Sequence, residues 1–279
     1  MKYPGFYFSK QSYQHVSTID IDNAWAYLEK GNLRTAGGYA RAFIKSNKEE
    51  LAERKKVFSG TLKDPYDTYD ILANVQKKYN LKSIFFFLLA DYGRNDKNVP
   101  SSSKKLQALI KSIDKYAEIG IHGSFASNNN PNKLKKEISR LSRILNKQIV
   151  KSRQHFLILN FPGIYRNLLA KGITEDYTMG FAQEIGFRAG ICTSYYWYDL
   201  QKEEETQLMI HPFAIMDATL NFYMQVSPDK VIEKVKPIID EVKKVEGTFM
   251  SLWHNESLSE KGKWKAWRNV YEEIVKAAQ

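Results

Sequence analysis

Phe85 to Leu89 are five apolar residues in succession, inside the run SIFFFLLAD at 83–91. A strand of that kind cannot turn one face to water, so it belongs in a sheet covered on both sides. Six further short apolar runs, bounded by Gly, Pro or polar clusters, read as strands: HVSTID at 15–20, EIGIH at 118–122, QIVKSR at 148–153, IGFRAGI at 185–191, QLMIHPFAIM at 207–216 and GTFMSLWH at 247–254. Amphipathic segments alternate with them. Leu106, Leu109, Ile110, Ile113, Tyr116 and Ala117 recur at helical spacing after the cap signal Ser101–Ser103. Leu134, Ile138, Leu141 and Leu145 follow the same rule, as do Val231, Ile232, Val235, Ile238, Ile239 and Val242, and finally Trp267, Val270, Tyr271, Ile274 and Val275. Strand and helix in alternation predict an α/β fold, a distorted (β/α) barrel of about seven parallel strands. No Pro/Gly/Ser linker, internal repeat or low-complexity block interrupts it, so residues 1–279 are read as a single domain.

The polar residues fall at one end of these strands. Asp20 and Asp22 close the first, Asp91 the second, His122 the third, Arg153 the fourth and His254 the last. In parallel α/β barrels that C-terminal edge is the active-site face. Asp20 and Asp22 are one residue apart, which in a strand aims both carboxylates at the same space. That is costly unless a cation lies between them or one serves as a base; the alternative is Asx turn chemistry at a strand end.

Composition limits the function classes. The lone Cys192 excludes an intrachain disulfide and a cysteine metal site. The longest apolar stretch, Ile84 to Ala90, is too short to span a bilayer, and the N-terminus lacks the apolar run of a signal peptide, so the expectation is a soluble cytoplasmic protein. The net charge of +11 suits an anionic partner, but the lysines alternate with acids along helices, as on a solvated face, and no nucleic-acid motif accompanies them.

The constellation resembles the NodB-homology polysaccharide deacetylases, the family-four carbohydrate esterases. Thr18-Ile19-Asp20-Ile21-Asp22 is similar to their first motif, Glu118-Ile119-Gly120-Ile121-His122-Gly123-Ser124 to the second, Arg153-Gln154-His155-Phe156 to the third and Leu252-Trp253-His254 to the last. KDPYDTYD at 63–70, GFRAG at 186–190 and LWHNES at 252–257 resemble a bacterial branch of polysaccharide deacetylase-like proteins. The resemblance implies a metal-dependent hydrolase that removes N-acetyl groups from an amino sugar of a cell-surface polysaccharide or its precursor. It implies Asp20 as general base, Arg153 as the residue orienting it, His254 as general acid, and Asp22 and His122 as ligands of a divalent metal, with zinc the expected one. Ala126 stands where the family has its second histidine; His155, in place of the usual proline of the third motif, is the candidate third ligand, with Ser127, Asn128 and Asp91 as alternatives. Trp25, Asp91, Arg188, Tyr196 and Trp253 are the candidate substrate contacts, and the row Tyr195–Tyr198 is either a sugar-stacking platform or core. His211 is read as structural. Two other readings stay open: a non-catalytic carbohydrate-binding relative, and a metal-independent hydrolase of another C–N bond.

Overall fold

The structure, a computed structural model, describes residues 11–279. Among the described residues nine strands form one sheet: β1 (Gln14–Ile21), β2 (Lys82–Leu88), β3 (Glu118–Gly123), β4 (Lys151–Gln154), β5 (Glu175–Asp176), β6 (Tyr195–Asp199), β7 (Glu204–Ile210), β8 (Ile215–Met216) and β9 (Thr248–His254). Their order is β6-β7-β5-β4-β3-β2-β1-β9-β8, and every pairing is parallel except β6 with β7. The end strands β6 and β8 do not pair, so the sheet curls without closing.

Helices α1 (Asn32–Ile44), α2 (Lys48–Phe58) and α3 (Tyr69–Tyr79) lie between β1 and β2; α4 (Lys104–Ile113), α5 (Pro131–Leu145) and α6 (Gly163–Leu169) follow the next three strands; α7 (Val231–Lys244) and α8 (Trp267–Ala277) flank β9. Their starts are written locally. Ser103 Oγ accepts from Leu106 N at 3.1 Å to cap α4. Asn130 Oδ1 accepts from Asn132 N and Lys133 N ahead of α5, whose first residue is Pro131, where the missing N–H costs nothing.

Alternation along the strands separates two cores. Ile19, Ile21, Phe85, Phe87, Phe249 and Trp253 pack outward into the main core under the helices. Val16, Ile84, Phe86, Met250 and Leu252 face the inside of the curl, with Leu157, Tyr177, Phe213 and Met216. Asp20 and His254 share the inward parity, and the register sets Asp20 beside His254, Leu88 beside His122 and His122 beside Arg153. Two-residue periodicity and register alone thus bring these groups to one rim.

The strand expectations need three corrections. Residues 185–191 are turns, not a strand: Gly186 and Gly190 hold φ of +113° and +72°, which break an extended run. The run 207–216 is two strands, β7 and β8, parted around Pro212, which has no N–H to give a ladder. Strands β5 and β6 were not expected: β5 has two residues, too few to show a period, and β6 is the aromatic row Tyr195–Asp199.

His211, read as structural, follows directly on β7. It stacks on Tyr177 with ring centroids 4.3 Å apart, and its Nε2 lies 3.2 Å from Glu175 Oε2, which also accepts from Tyr177 Oη at 2.7 Å. Burial alone would raise the Glu175 carboxyl, but His211, Lys151 and Tyr177 outweigh it and hold it down to about 2. A carboxyl depressed in the folded state stabilises above its unfolded pKa, and that contribution is lost as pH falls through the folded value. Glu175→Gln should therefore cost about 1 to 2 kcal/mol at pH 7, after allowance for solvent screening, and the difference from the parent should shrink between pH 4.5 and pH 2. Denaturant melts across that pH range check it.

Candidate active site

The mouth of the curled sheet holds a cavity of about 270 Å³. Asp20, Asp22, His122, His155 and His254 all line it, on the ends of β1, β3, β4 and β9. One ligand atom from each of Asp22, His122 and His155 lies within 4.8 Å of the others, a group that could hold a metal ion. Asp22 Oδ1 is 3.2 Å from His122 Nε2, and Asp22 Oδ2 is 3.3 Å from His155 Nε2.

Each imidazole is oriented by its other nitrogen. His122 Nδ1 lies 3.0 Å from the Arg153 carbonyl, which can only accept, so Nδ1–H donates there and Nε2 faces Asp22. His155 Nδ1 lies 3.0 Å from Asp96 Oδ1, a carboxylate–histidine pair of the kind that supports metal ligands. Asp96 is itself fixed by the backbone N–H groups of Phe125 and Ala126, at 2.9 and 3.1 Å. Residue 126 thus contributes its backbone amide, steadying His155 through Asp96. Burial would raise the Asp22 carboxyl, but His155 and His122 prevail and hold it well below the usual range. Burial would lower His155, and the carboxylates of Asp22 and Asp96 instead push it up to about 9. Among the described residues, carboxylates of Asp20, Asp22, Asp96 and Asp217 crowd a site whose one paired arginine is Arg153, and the buried Asp22 Oδ1 has no hydrogen-bond partner. A divalent cation fits this donor set.

Asp20 sits beside this group. Its Oδ1 accepts from Arg153 Nη1 at 2.9 Å, and Arg153, fully buried, also donates to Thr18 Oγ1 and the Tyr177 carbonyl. His254 closes the opposite side: Asp217 accepts from its backbone N–H at 2.7 Å and from Nδ1 at 2.8 Å. Burial works against a charged His254, yet Asp217, then Asp22 and Asp20, keep it raised well above the ordinary histidine value.

The loop after β1 is locked by the stretches that looked family-like. Asp64 accepts from the backbone N–H groups of Ala26, Tyr27 and Tyr66, and Asn255 Nδ2 donates to the carbonyls of Asn23 and Tyr66. KDPYDTYD and LWHNES therefore act on Asp22 through the backbone that carries it.

None of the five candidate substrate contacts lines the cavity. Trp25 and Trp253 are buried in the outer core, Trp253 because its parity on β9 points it at the helices and Trp25 from the loop after β1. Asp91 is drawn to the surface by Arg140 and by Lys136 at 2.9 Å. Arg188 is exposed in the turns at 185–191, and Tyr196 is exposed on the edge strand β6, where its neighbour Trp197 packs on Tyr165. The rings that do line the cavity are Phe156, Phe222, Tyr223 and Trp264. Phe156 and Leu157 enter the wall because the turn after β4 holds both at left-handed φ, 61° and 55°. Phe222 meets Trp264 edge-on with centroids 4.8 Å apart. Sequence reasoning also missed Asp96, Asp217 and Gln154. Asp217 ends an apolar run as Asp20 does, but the signal was hidden within 207–216. Gln154 is fully buried, lines the cavity and leaves both side-chain amide atoms without partners among the described residues.

A curled, mainly parallel sheet with acids and histidines at its C-terminal rim defines the class: this is the NodB-type barrel fold of polysaccharide deacetylases. Among solved structures, the chain is similar to a candidate polysaccharide deacetylase from Mycobacterium smegmatis at a TM-score of 0.58 and 15% identity, covering 97% of this chain and 86% of that one. It is similar to Puue allantoinase at a TM-score of 0.58 and 10% identity, covering 98% and 86%. A candidate polysaccharide deacetylase from Pseudomonas aeruginosa aligns at a TM-score of 0.56 and 10% identity, covering 96% and 84%. At these identities the likeness establishes the fold. No protein-family model matches the sequence, and no curated protein matches it significantly. No helix among the described residues is long and apolar enough to cross a membrane.

Proposed function

We propose that the chain is a metal-dependent amide hydrolase that removes N-acetyl groups from an amino sugar of a cell-surface polysaccharide or its precursor. The observation that carries this reading is the convergence of Asp22, His122 and His155 between the Asp20–Arg153 pair and the His254–Asp217 pair, within one cavity. A divalent cation, with zinc the proposed one, would be held by Asp22, His122 and His155 and would supply Lewis-acid polarisation of the amide carbonyl and a water of lowered pKa.

The chain's own residues account for the proton movements. Arg153 engages Asp20 Oδ1 and holds this carboxylate as the base, leaving Oδ2 to accept the proton of the attacking water. His254, held as imidazolium by Asp217, donates its proton to the amide nitrogen as the C–N bond breaks, so acetate and a free amine leave. Phe222, Tyr223 and Trp264 offer ring faces to the apolar side of a sugar, and the unpartnered amide of Gln154 offers hydrogen bonds to its acyl or hydroxyl groups. The test is elemental analysis of the purified chain combined with acetate release from N-acetylhexosamine oligomers. Bound zinc with release that a chelator stops supports the reading; release without metal makes the chain a metal-independent hydrolase, and neither metal nor release favours a carbohydrate-binding protein.

The role of His254 has its own check. His254→Ala should lower turnover on an acetamide by about 10²-fold, and much less on an aryl acetate, whose leaving group needs no proton. Metal content should be unchanged. Loss of metal in this variant would make His254 a ligand and overturn its role as acid.

A further inference from the structure

Beside the catalytic cavity lies a second one of about 450 Å³. The two meet at Glu256, which lines both, and Asn23, next in the chain to Asp22, forms part of the second wall. Lys30, Arg34, Arg41, Arg54 and Lys97 line it, against the single lining carboxylate of Glu256.

The arginines at its base are rigidly placed. Arg54 is bound by Glu50, with Nε at 2.9 Å and Nη2 at 2.7 Å from Oε1, and stacks over the Tyr27 ring at 4.4 Å. The backbone of α1 lies directly on it: a Cβ at Gly38 would fall 2.6 Å from Arg54 Nη1, so a larger residue there would push the guanidinium aside. Arg34 donates to the carbonyls of Asn98 and Lys97, at 2.8 and 2.5 Å, and covers the Tyr92 ring at 4.3 Å.

The remaining cations lack adequate counter-charge. Lys30 Nζ donates to the neutral side chain of Asn23. Among the described residues no carboxylate comes within 4.0 Å of Lys30 or Lys97, and Arg41 has only Glu50, at 3.7 Å and already shared with Arg54. The other nearby acids are occupied: Asp64 accepts backbone N–H groups, and Glu53 faces Lys261 at 3.0 Å. Burial, and after it the Arg34 charge, brings Lys30 down to about 8, consistent with a cation enclosed without its anion.

We propose that this cavity is an anion subsite, taking a carboxylate or phosphate carried on the sugar next to the one whose acyl group is hydrolysed. Guanidinium and ammonium groups converging on an aromatic-walled hollow recognise such groups by charge and by paired hydrogen bonds. The proposal rests on the deacetylase reading for the neighbouring cavity, and it narrows the substrate class to an acidic amino-sugar glycan.

The test is calorimetric titration of the full chain with three N-acetylhexosamine oligosaccharides of equal length: one carrying uronic acid, its carboxyl-reduced neutral form, and one carrying a phosphate ester. The parent should bind at least one anionic form about tenfold or more tighter than the neutral one, with the preference falling as salt rises; which anionic form prevails identifies the group. The double variant R41Q/K97Q, two exposed side chains, should lose that preference and keep its affinity for the neutral form. Equal affinity of the parent for all three, or a preference that survives the double variant, overturns the proposal. Binding is read separately from acetate release, so selective binding without hydrolysis would sink the catalytic reading and leave this subsite standing.

Discussion

Asp20→Asn should lower turnover by about 10²-fold or more while zinc binding persists. The substitution keeps an oxygen that can accept from Arg153 Nη1, as Asp20 Oδ1 does at 2.9 Å, but removes the carboxylate able to take a proton. Asp20 is not among the three groups that converge as possible ligands, so metal affinity should stay near that of the parent. Stability should fall, because Arg153 is wholly buried and loses its facing charge. Thr18 Oγ1 and the Tyr177 carbonyl still receive the guanidinium, which limits the loss to about 1 to 3 kcal/mol. Thermal melts, zinc titration and acetate release on one preparation separate these effects. Undiminished release by a folded Asp20→Asn protein would remove Asp20 as the base.

The parts of this site legible in the sequence are those that strand parity and register carry. Asp20, His122, Arg153 and His254 each end a strand, and adjacent parallel strands in register align their ends. No such rule reaches Asp96, in the loop between β2 and α4, whose place is set by the amides of Phe125 and Ala126. The same reasoning explains the misplaced aromatics. Trp253 stands next to His254 on β9 and for that reason faces away from it, since neighbours on a strand point to opposite sides, while Trp25 lies in the loop beyond β1, where no parity rule applies. The cavity's rings come instead from Phe156, Phe222, Tyr223 and Trp264, in tight turns and short helices without a readable period. The open form of the sheet depends likewise on backbone details, such as glycines at positive φ and a proline between β7 and β8, inside stretches that hydrophobicity alone reads as strands.

His155→Ala should abolish tight zinc binding, while Ala126→His should leave it close to the parent value. Three groups now converge, and removing His155 leaves Asp22 and His122, fewer protein ligands than a catalytic zinc site uses. A histidine at 126 keeps the backbone N–H that holds Asp96 Oδ2 at 3.1 Å, and Asp96 in turn holds His155 Nδ1 at 3.0 Å, so His155 stays in place. The half-buried Ala126 lies outside the lining of the catalytic cavity, so an added imidazole there is not placed to join the three groups. Asp96→Asn provides the intermediate case. It keeps a hydrogen-bond acceptor for His155 but removes the carboxylate charge behind the imidazole, and zinc affinity should drop by about 10- to 100-fold without being lost. Calorimetric zinc titration of the parent and the three variants, with circular dichroism to verify folding, gives the order parent and Ala126→His, then Asp96→Asn, then His155→Ala. Tight binding that survives His155→Ala would show that the third ligand lies elsewhere, and a marked gain with Ala126→His would show a site left open for want of a histidine at that position.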